Sequence, residues 1–379
     1  MPYYYHATGD FQNLFYMTKL SVTGIQEAGS KCYSYLLNSI NADGSFVYSL
    51  NAKTGKTSAE YNILRHAGTV YSLYQWMNFK KETDEPEIMK QSREFLLKHC
   101  RQLPNGTTCV VYENEAKLGG SALTLVALAE RFRSHNDDKD LKVMQHLAYF
   151  LIWMQKPSGE FRTLYNIETN EFPEYECIFY HGQSILGLTL LYEIDRDIQW
   201  LNAAELGAAF MVNTAKAASP TKRKNDHWFC MALNALYKID KNTIYSDELL
   251  LGVNATVITL FKTAENLQRG NMQTETHSTA AIATKGEAIA AALEIMLMVN
   301  NKTEISRLST FLKEILAYCL EMQVPENNSA YVPKAAGGIM HNRHSSQIRI
   351  DYVQHVLSML IGYLRTEEAA SNIKKLRWE

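Results

Sequence analysis

Two kinds of helical segment alternate six times along this chain, and that alternation constrains its fold more than any other feature. One kind carries a single apolar stripe. In 303–322, Ile305, Leu308, Phe311, Leu312, Ile315, Leu316 and Cys319 share a face that Lys313, Glu314 and Glu321 avoid. Similar segments run over 22–41, 86–100, 139–155, 197–213 and 243–263. The second kind is apolar nearly all round and rich in small residues, over 62–77, 118–132, 180–194, 227–239, 279–298 and 346–365. A helix apolar on every side belongs in an interior, and a striped one at a surface. Six inner helices ringed by six outer ones satisfy both. The expected fold is therefore all-α, an (α/α)6 barrel or toroid.

The connections are unequal. Links from outer to inner helices alternate like strands and contain turn residues, as in 41–55 and 158–170, with a weaker case at 104–112. These read as short β-hairpins. The reverse links, such as 80–85 and 134–138, are short and charged. One rim is thus elaborated and the other plain, and elaborated loops are where function concentrates. No Pro/Gly/Ser-rich linker interrupts the pattern, so we expect an N-terminal extension over 1–20 and one toroid domain over 21–379.

A formal net charge of −2 and a pI near 6.6 give no electrostatic case for nucleic acid or an anionic membrane. No apolar run is long enough to span a bilayer, and the first residues lack the pattern of a secretory signal. The six cysteines are scattered, with no C-x-x-C pair, and read as reduced thiols. A cytoplasmic location is the expectation, and a homodimer is compatible with it, Tyr3, Tyr4 and Tyr5 packing over the ring or swapping between subunits.

If the inner helices begin at the elaborated rim, their first turns line one cavity. Helix one brings Glu60, Tyr61, Arg65 and His66, and Glu113 and Glu115 precede helix two. Glu176, Tyr180, His181 and Gln183 belong to the third, and Asp226, His227 and Trp228 open the fourth. His277 precedes the fifth, which carries Lys285 and Glu287, and His344, Arg349, Asp351 and His355 mark the sixth. Polar groups avoid buried helices unless they are paired or face water. Capping and ion pairing account for single cases, such as Asp226 at a helix start or Arg65 held by Glu60 or Glu115. They do not call for Tyr, Trp, His and Arg together at one rim after another.

Carboxylates, aromatics, Arg and His in one cavity suit a saccharide. Paired carboxylates suit glycosidic cleavage, one as acid and the other as base or nucleophile, and Glu176 with Asp226 are the leading pair. Isomerisation or epimerisation would instead use histidines as bases beside a carbonyl that Arg65 polarises, with His66 and His181 among the candidates. A toroid that binds a glycan or protein without catalysis is the third reading. Asp351 and His355 lie four apart on one helical face, within hydrogen-bonding reach. His341 and His344 lack a clear third ligand, so no metal site is expected. No nucleotide fingerprint or serine-nucleophile elbow occurs, and no cofactor is expected.

The segments Gln155-Lys-Pro-Ser-Gly-Glu-Phe161, Tyr180-His-Gly-Gln-Ser184 and Asn225-Asp-His-Trp228 sit where toroidal enzymes carry polar and aromatic cleft residues. With the alternation from about residue 20 onward, the chain resembles the six-hairpin glycosidase superfamily, and more loosely the N-acylglucosamine 2-epimerase group. The resemblance implies a carbohydrate-active enzyme, hydrolase or epimerase.

Overall fold

The computed structural model describes residues 20–217, 226–268 and 278–375. The outer helices are α1 (Val22–Asn38), α3 (Glu87–Lys98), α5 (Asp138–Met154), α7 (Ile198–Ala217), α9 (Thr243–Gln268) and α11 (Lys302–Glu321). The inner helices are α2 (Ile63–Lys80), α4 (Leu118–His135), α6 (Tyr180–Asp195), α8 (His227–Asp240), α10 (Thr279–Met298) and α12 (Ile350–Lys375). Each inner helix packs on the next, and α12 returns to α2, which closes the ring. The (α/α)6 toroid is confirmed.

Burial follows the two kinds of helix. On α11 only the stripe of Leu308, Leu312, Ile315, Leu316, Ala317 and Cys319 is buried, whereas α4 is buried from Leu118 to Arg131 without a break. Side-chain caps start several helices: Ser21 accepts from Gly24 N–H, Asn62 from Leu64 and Arg65, Asp137 from Lys139, and Asn301 from Glu304. Four inner helices end on a left-handed residue, Lys81, Asn136, Arg196 or Lys241, each bonding back to a late carbonyl. At the plain rim a buried ion-pair network holds the short links, with Arg131 on Glu85 at 3.1 Å and on Asp140, and Arg93 on Asp140 at 3.1 Å.

The strands correct the hairpin expectations. Of the three expected hairpins, the stretch that read as weakest forms a paired ladder, β2 (Cys100–Gln102) with β3 (Thr108–Val110), whereas 41–55 and 158–170 fold back only through isolated bridges such as Ile40–Phe46 and Gln155–Phe161. β1 (Ser49–Asn51) joins β7 (Ser345–Arg349) and β6 (Met340–Asn342), tying the two ends of the toroid together. β4 (Glu115–Lys117) pairs with β5 (Leu164–Asn166). The last inner helix therefore begins at Ile350 rather than 346, because residues 345–349 are spent on β7. Alternation marks an extended segment but cannot name its partner.

A structural unit repeats in the wall. Gly44, at φ 89°, lets the loop lie on Gln91 of α3, and Gly159, at φ 92°, lets its counterpart lie on Leu206 of α7. A Cβ on either would meet those carbonyl oxygens at 2.1 and 2.3 Å, so only glycine fits. Two residues on, Phe46 and Phe161 meet the rings of His66 and His181 edge-on, and Phe95 and Phe210 stack on the other side. Two inner-helix histidines are thus mortared between loop and outer helix.

Candidate active site

The predicted site residues divide into those the fold sends into the wall or the rim and those it brings toward the axis. His66 is wholly buried. Its Nε2 lies 2.9 Å from the Ser92 carbonyl, an acceptor, so Nε2 carries the hydrogen and Nδ1 accepts from Tyr61 Oη at 2.6 Å. Tyr61 Oη in turn accepts from Phe46 N–H, so both residues serve the wall. Burial pushes His66 down to about 3. His181 accepts from Phe161 N–H at 3.3 Å, and burial lowers it to about 4. The concentration of histidine at inner-helix starts therefore has a structural cause for two of its members.

Asp226 is the α8 cap, its Oδ1 accepting from Trp228 N–H at 2.9 Å. Gly182 leaves room for it, since a Cβ there would lie 2.3 Å from Asp226 Oδ2. Burial drives this carboxyl well above its usual range, against the pull of the backbone N–H groups around it. Glu176 and Glu60 are exposed on the loops before their helices. Glu113, also exposed, sits at φ 52° in a tight turn beside Asn114, and Glu115 pairs with Lys117 at 3.0 Å. Glu176 and Asp226 thus do not form a facing acid and base, one being on the surface and the other a cap. Tyr180 and Gln183 are buried against Gly119, with Tyr175 stacked outside Tyr180. His344 lies in the exposed β6–β7 turn, and His277 falls outside the described residues.

Other groups converge. Arg65 reaches across to α12, where its Nε lies 3.1 Å from Asp351 Oδ2, and it also bonds Tyr48 Oη. Arg349 Nε holds Asp351 Oδ1 at 2.6 Å, and its guanidinium covers the Tyr352 ring. So Arg65 pairs with neither Glu60 nor Glu115, and Asp351 is engaged by two guanidiniums rather than by His355. One turn deeper, His355 Nδ1 lies 3.0 Å from Glu287 Oε2. His227 Nε2 approaches the same oxygen at 3.6 Å, and the two imidazole rings are 5.2 Å apart, edge to face. Trp228 packs on Tyr71 and His355, and Phe179 meets His227 edge-on from the loop before α6.

The two imidazoles are driven apart. Burial and the neighbouring His355 hold His227 well below the ordinary 6.5. For His355 burial acts downward, but the Glu287 carboxylate beside it prevails and holds it above 6.5. Burial raises Glu287, and His355 draws it back. The two imidazoles beside Glu287 are thus shifted in opposite directions, so between their two values one is the base and the other the acid. The three donor atoms lie within 4.8 Å of one another, so they could also take a metal ion, and no other such group of three occurs among the described residues.

Glu287 and His355 were not among the leading sequence candidates. Glu287 lies more than two turns inside α10, and His355 a turn inside α12, whereas first turns drew attention. The available signal was an acid at 287, next to Gly286 and two residues from Lys285, inside a helix dominated by Ala, Ile, Leu and Met.

No family model matches the chain, and no curated protein matches it. Solved structures do. A D-mannose isomerase superimposes with a TM-score of 0.63 at 12% identity, over 91% of this chain and 98% of that one. The GH76A α-1,6-mannanase from Salegentibacter sp. gives 0.62 at 11%, over 90% and 99%. The cellobiose 2-epimerase from Bacillus thermoamylovorans gives 0.62 at 10%, over 90% and 99%. The chain thus shares the (α/α)6 toroid fold of these three structures.

Proposed function

We propose that this protein is a carbohydrate-active enzyme, and within that class a sugar isomerase or epimerase acting beside the carbonyl of a reducing sugar. The observation that carries the reading is the meeting of His227 and His355 over Glu287. Of the carboxylates near it, Asp351 is engaged by two arginines and Asp226 caps α8, which leaves Glu287 without a facing carboxylate partner among the described residues. That favours histidine chemistry over the acid pair of a glycosidase.

In this mechanism neutral His227 removes the proton from the carbon next to the carbonyl. The C–H electrons form the C=C bond of an enediol as the carbonyl oxygen takes a proton from His355. Protonation at the neighbouring carbon, as the other enediol hydroxyl gives its proton to a histidine and becomes the carbonyl, gives the isomer; protonation on the opposite face of the same carbon, as the first hydroxyl returns its proton to His355, gives the epimer. Glu287 stabilises the imidazolium at each stage. In this reading Arg65, fixed by Asp351 and Tyr48 and about a third exposed, binds the sugar oxygens at the mouth. Trp228, Phe179 and Tyr175 offer apolar faces for the ring.

The test is incubation with D-mannose, cellobiose and α-1,6-mannotriose in D2O. Interconversion with deuterium entering the sugar, lost in His227→Ala and His355→Ala, is expected. Reducing-end release without deuterium would instead establish hydrolysis. Tight binding with no product would mean a non-catalytic toroid.

A further inference from the structure

Glu287 has two oxygens, and the site just described uses only one. Oε1 is buried without a hydrogen-bond partner. Glu287 also belongs to the wall of a second cavity, formed by all six inner helices through their middle and C-terminal turns. This cavity lies toward the plain rim, at the other end of the axis, and holds about 130 Å³. That is room for on the order of ten water molecules.

A second buried acceptor lines the same space. Asn234 is only 7% exposed, its Oδ1 has no partner, and its amide nitrogen is committed to Glu294 at 2.6 Å. Both residues line the cavity, and each keeps an unpartnered acceptor just behind its surface, where a dry orphan costs about 1–3 kcal/mol and a small side-chain shift would bring it to water. Other polar groups can hold such water. Ser358 donates to Gln75 at 2.9 Å, and Gln75 donates to Tyr71. Toward the rim, Lys238 neutralises Glu294 at 2.8 Å, and Arg365 reaches Glu130 at 3.5 Å. Where the chain could have filled the shaft it carries Ala290 and Ala291.

We infer that this cavity is a solvent-filled shaft through which Glu287 exchanges protons with bulk water while a sugar occupies the histidine side. Its role in turnover rests on the proposed isomerase or epimerase activity, whereas the shaft itself does not. A proton taken from the sugar by His227 passes to Glu287 and leaves from its carboxyl to a water, and a solvent proton returns along the same path. Only O–H and N–H bonds change, and no co-reactant is needed.

Thiol accessibility tests the shaft without requiring activity. Ala291, 7% exposed, lines it, and its neighbour Ala292, fully buried, does not. With 2-aminoethyl methanethiosulfonate and peptide mass mapping, Ala291→Cys should be labelled at least ~10-fold faster than Ala292→Cys, a difference of about one decade or ~1.4 kcal/mol in barrier. Ser358→Cys, nearly isosteric and also lining the shaft, serves if Ala291→Cys does not fold. Equal rates for lining and control positions would overturn the proposal. For turnover, Ala291→Leu should lower deuterium incorporation per product formed in D2O several-fold with KM unchanged, and unchanged incorporation would remove the shaft from the reaction. Labelled shaft thiols in a protein that interconverts no sugar would sink the activity and leave the shaft. Deuterium-exchanging turnover with unlabelled thiols would do the reverse.

Discussion

Replacing His66 by alanine separates a wall histidine from an axial one. His66 is fully buried and makes two ring hydrogen bonds, to Tyr61 Oη at 2.6 Å and the Ser92 carbonyl at 2.9 Å. Its removal strands both partners, at about 1–3 kcal/mol each. It also opens a void between Phe46 and Phe95, whose ring centroids lie 4.9 and 5.1 Å from the imidazole. That void adds about 2 kcal/mol. With partial relaxation and entering water, we expect His66→Ala to cost about 4–6 kcal/mol, a large share of a typical domain's stability of about 5–15 kcal/mol. His181 strands one N–H at a longer 3.3 Å, so His181→Ala should cost about 2–4 kcal/mol. His227 Nε2 has no hydrogen bond to lose, and His227→Ala should cost about 1–2 kcal/mol. Urea unfolding followed by circular dichroism gives this order, and kcat/KM per folded molecule should give the opposite one. The reasoning fails if His66→Ala or His181→Ala keeps wild-type stability and loses turnover, or if His227→Ala unfolds the chain.

Four further outcomes follow from the same geometry. Turnover requires neutral His227 and protonated His355, so activity should fall as pH drops through a value well below 6.5 and as it rises through one above 6.5. Glu287→Gln removes the carboxylate that raises His355, so the alkaline limb of kcat/KM should move to lower pH; a fixed limb would show that another group sets it. Gly159→Ala should cost about 2–4 kcal/mol in urea unfolding, through positive-φ strain plus contact with the Leu206 carbonyl. Gly106→Ala, at φ 83° with nothing within 4 Å of the added carbon, should cost only about 1–2 kcal/mol, and equal losses would refute the contact argument. Asp351→Asn leaves the Arg65 and Arg349 guanidiniums without their shared anion. We expect kcat/KM to fall ~10- to 100-fold, the equivalent of one charged hydrogen bond, with the alkaline limb moved to lower pH by less than in Glu287→Gln, because Asp351 also raises His355.

The ring was legible because burial acts on a helix as a whole. Apolar and small residues nearly all round 118–129 and a single stripe in 303–322 each leave one place in a two-layer fold, so sequence alone determined the toroid and its inner and outer layers. The polar clusters before the inner helices were legible as clusters, too. Their division of labour was not, because a helix start states which residues are near the rim and not which way they turn. His66 and His227 both open apolar helices, yet one is locked by Tyr61 and Ser92 and the other meets His355 and Glu287. Asp351 and His355 have the spacing of a local pair, but each finds a stronger partner from another helix, Arg65 and Glu287. These choices are made between residues far apart in the chain, across helices whose relative rotation and depth are fixed only when the ring closes. The sequence placed the groups near one end of a toroid; the tertiary structure decided which of them face its axis.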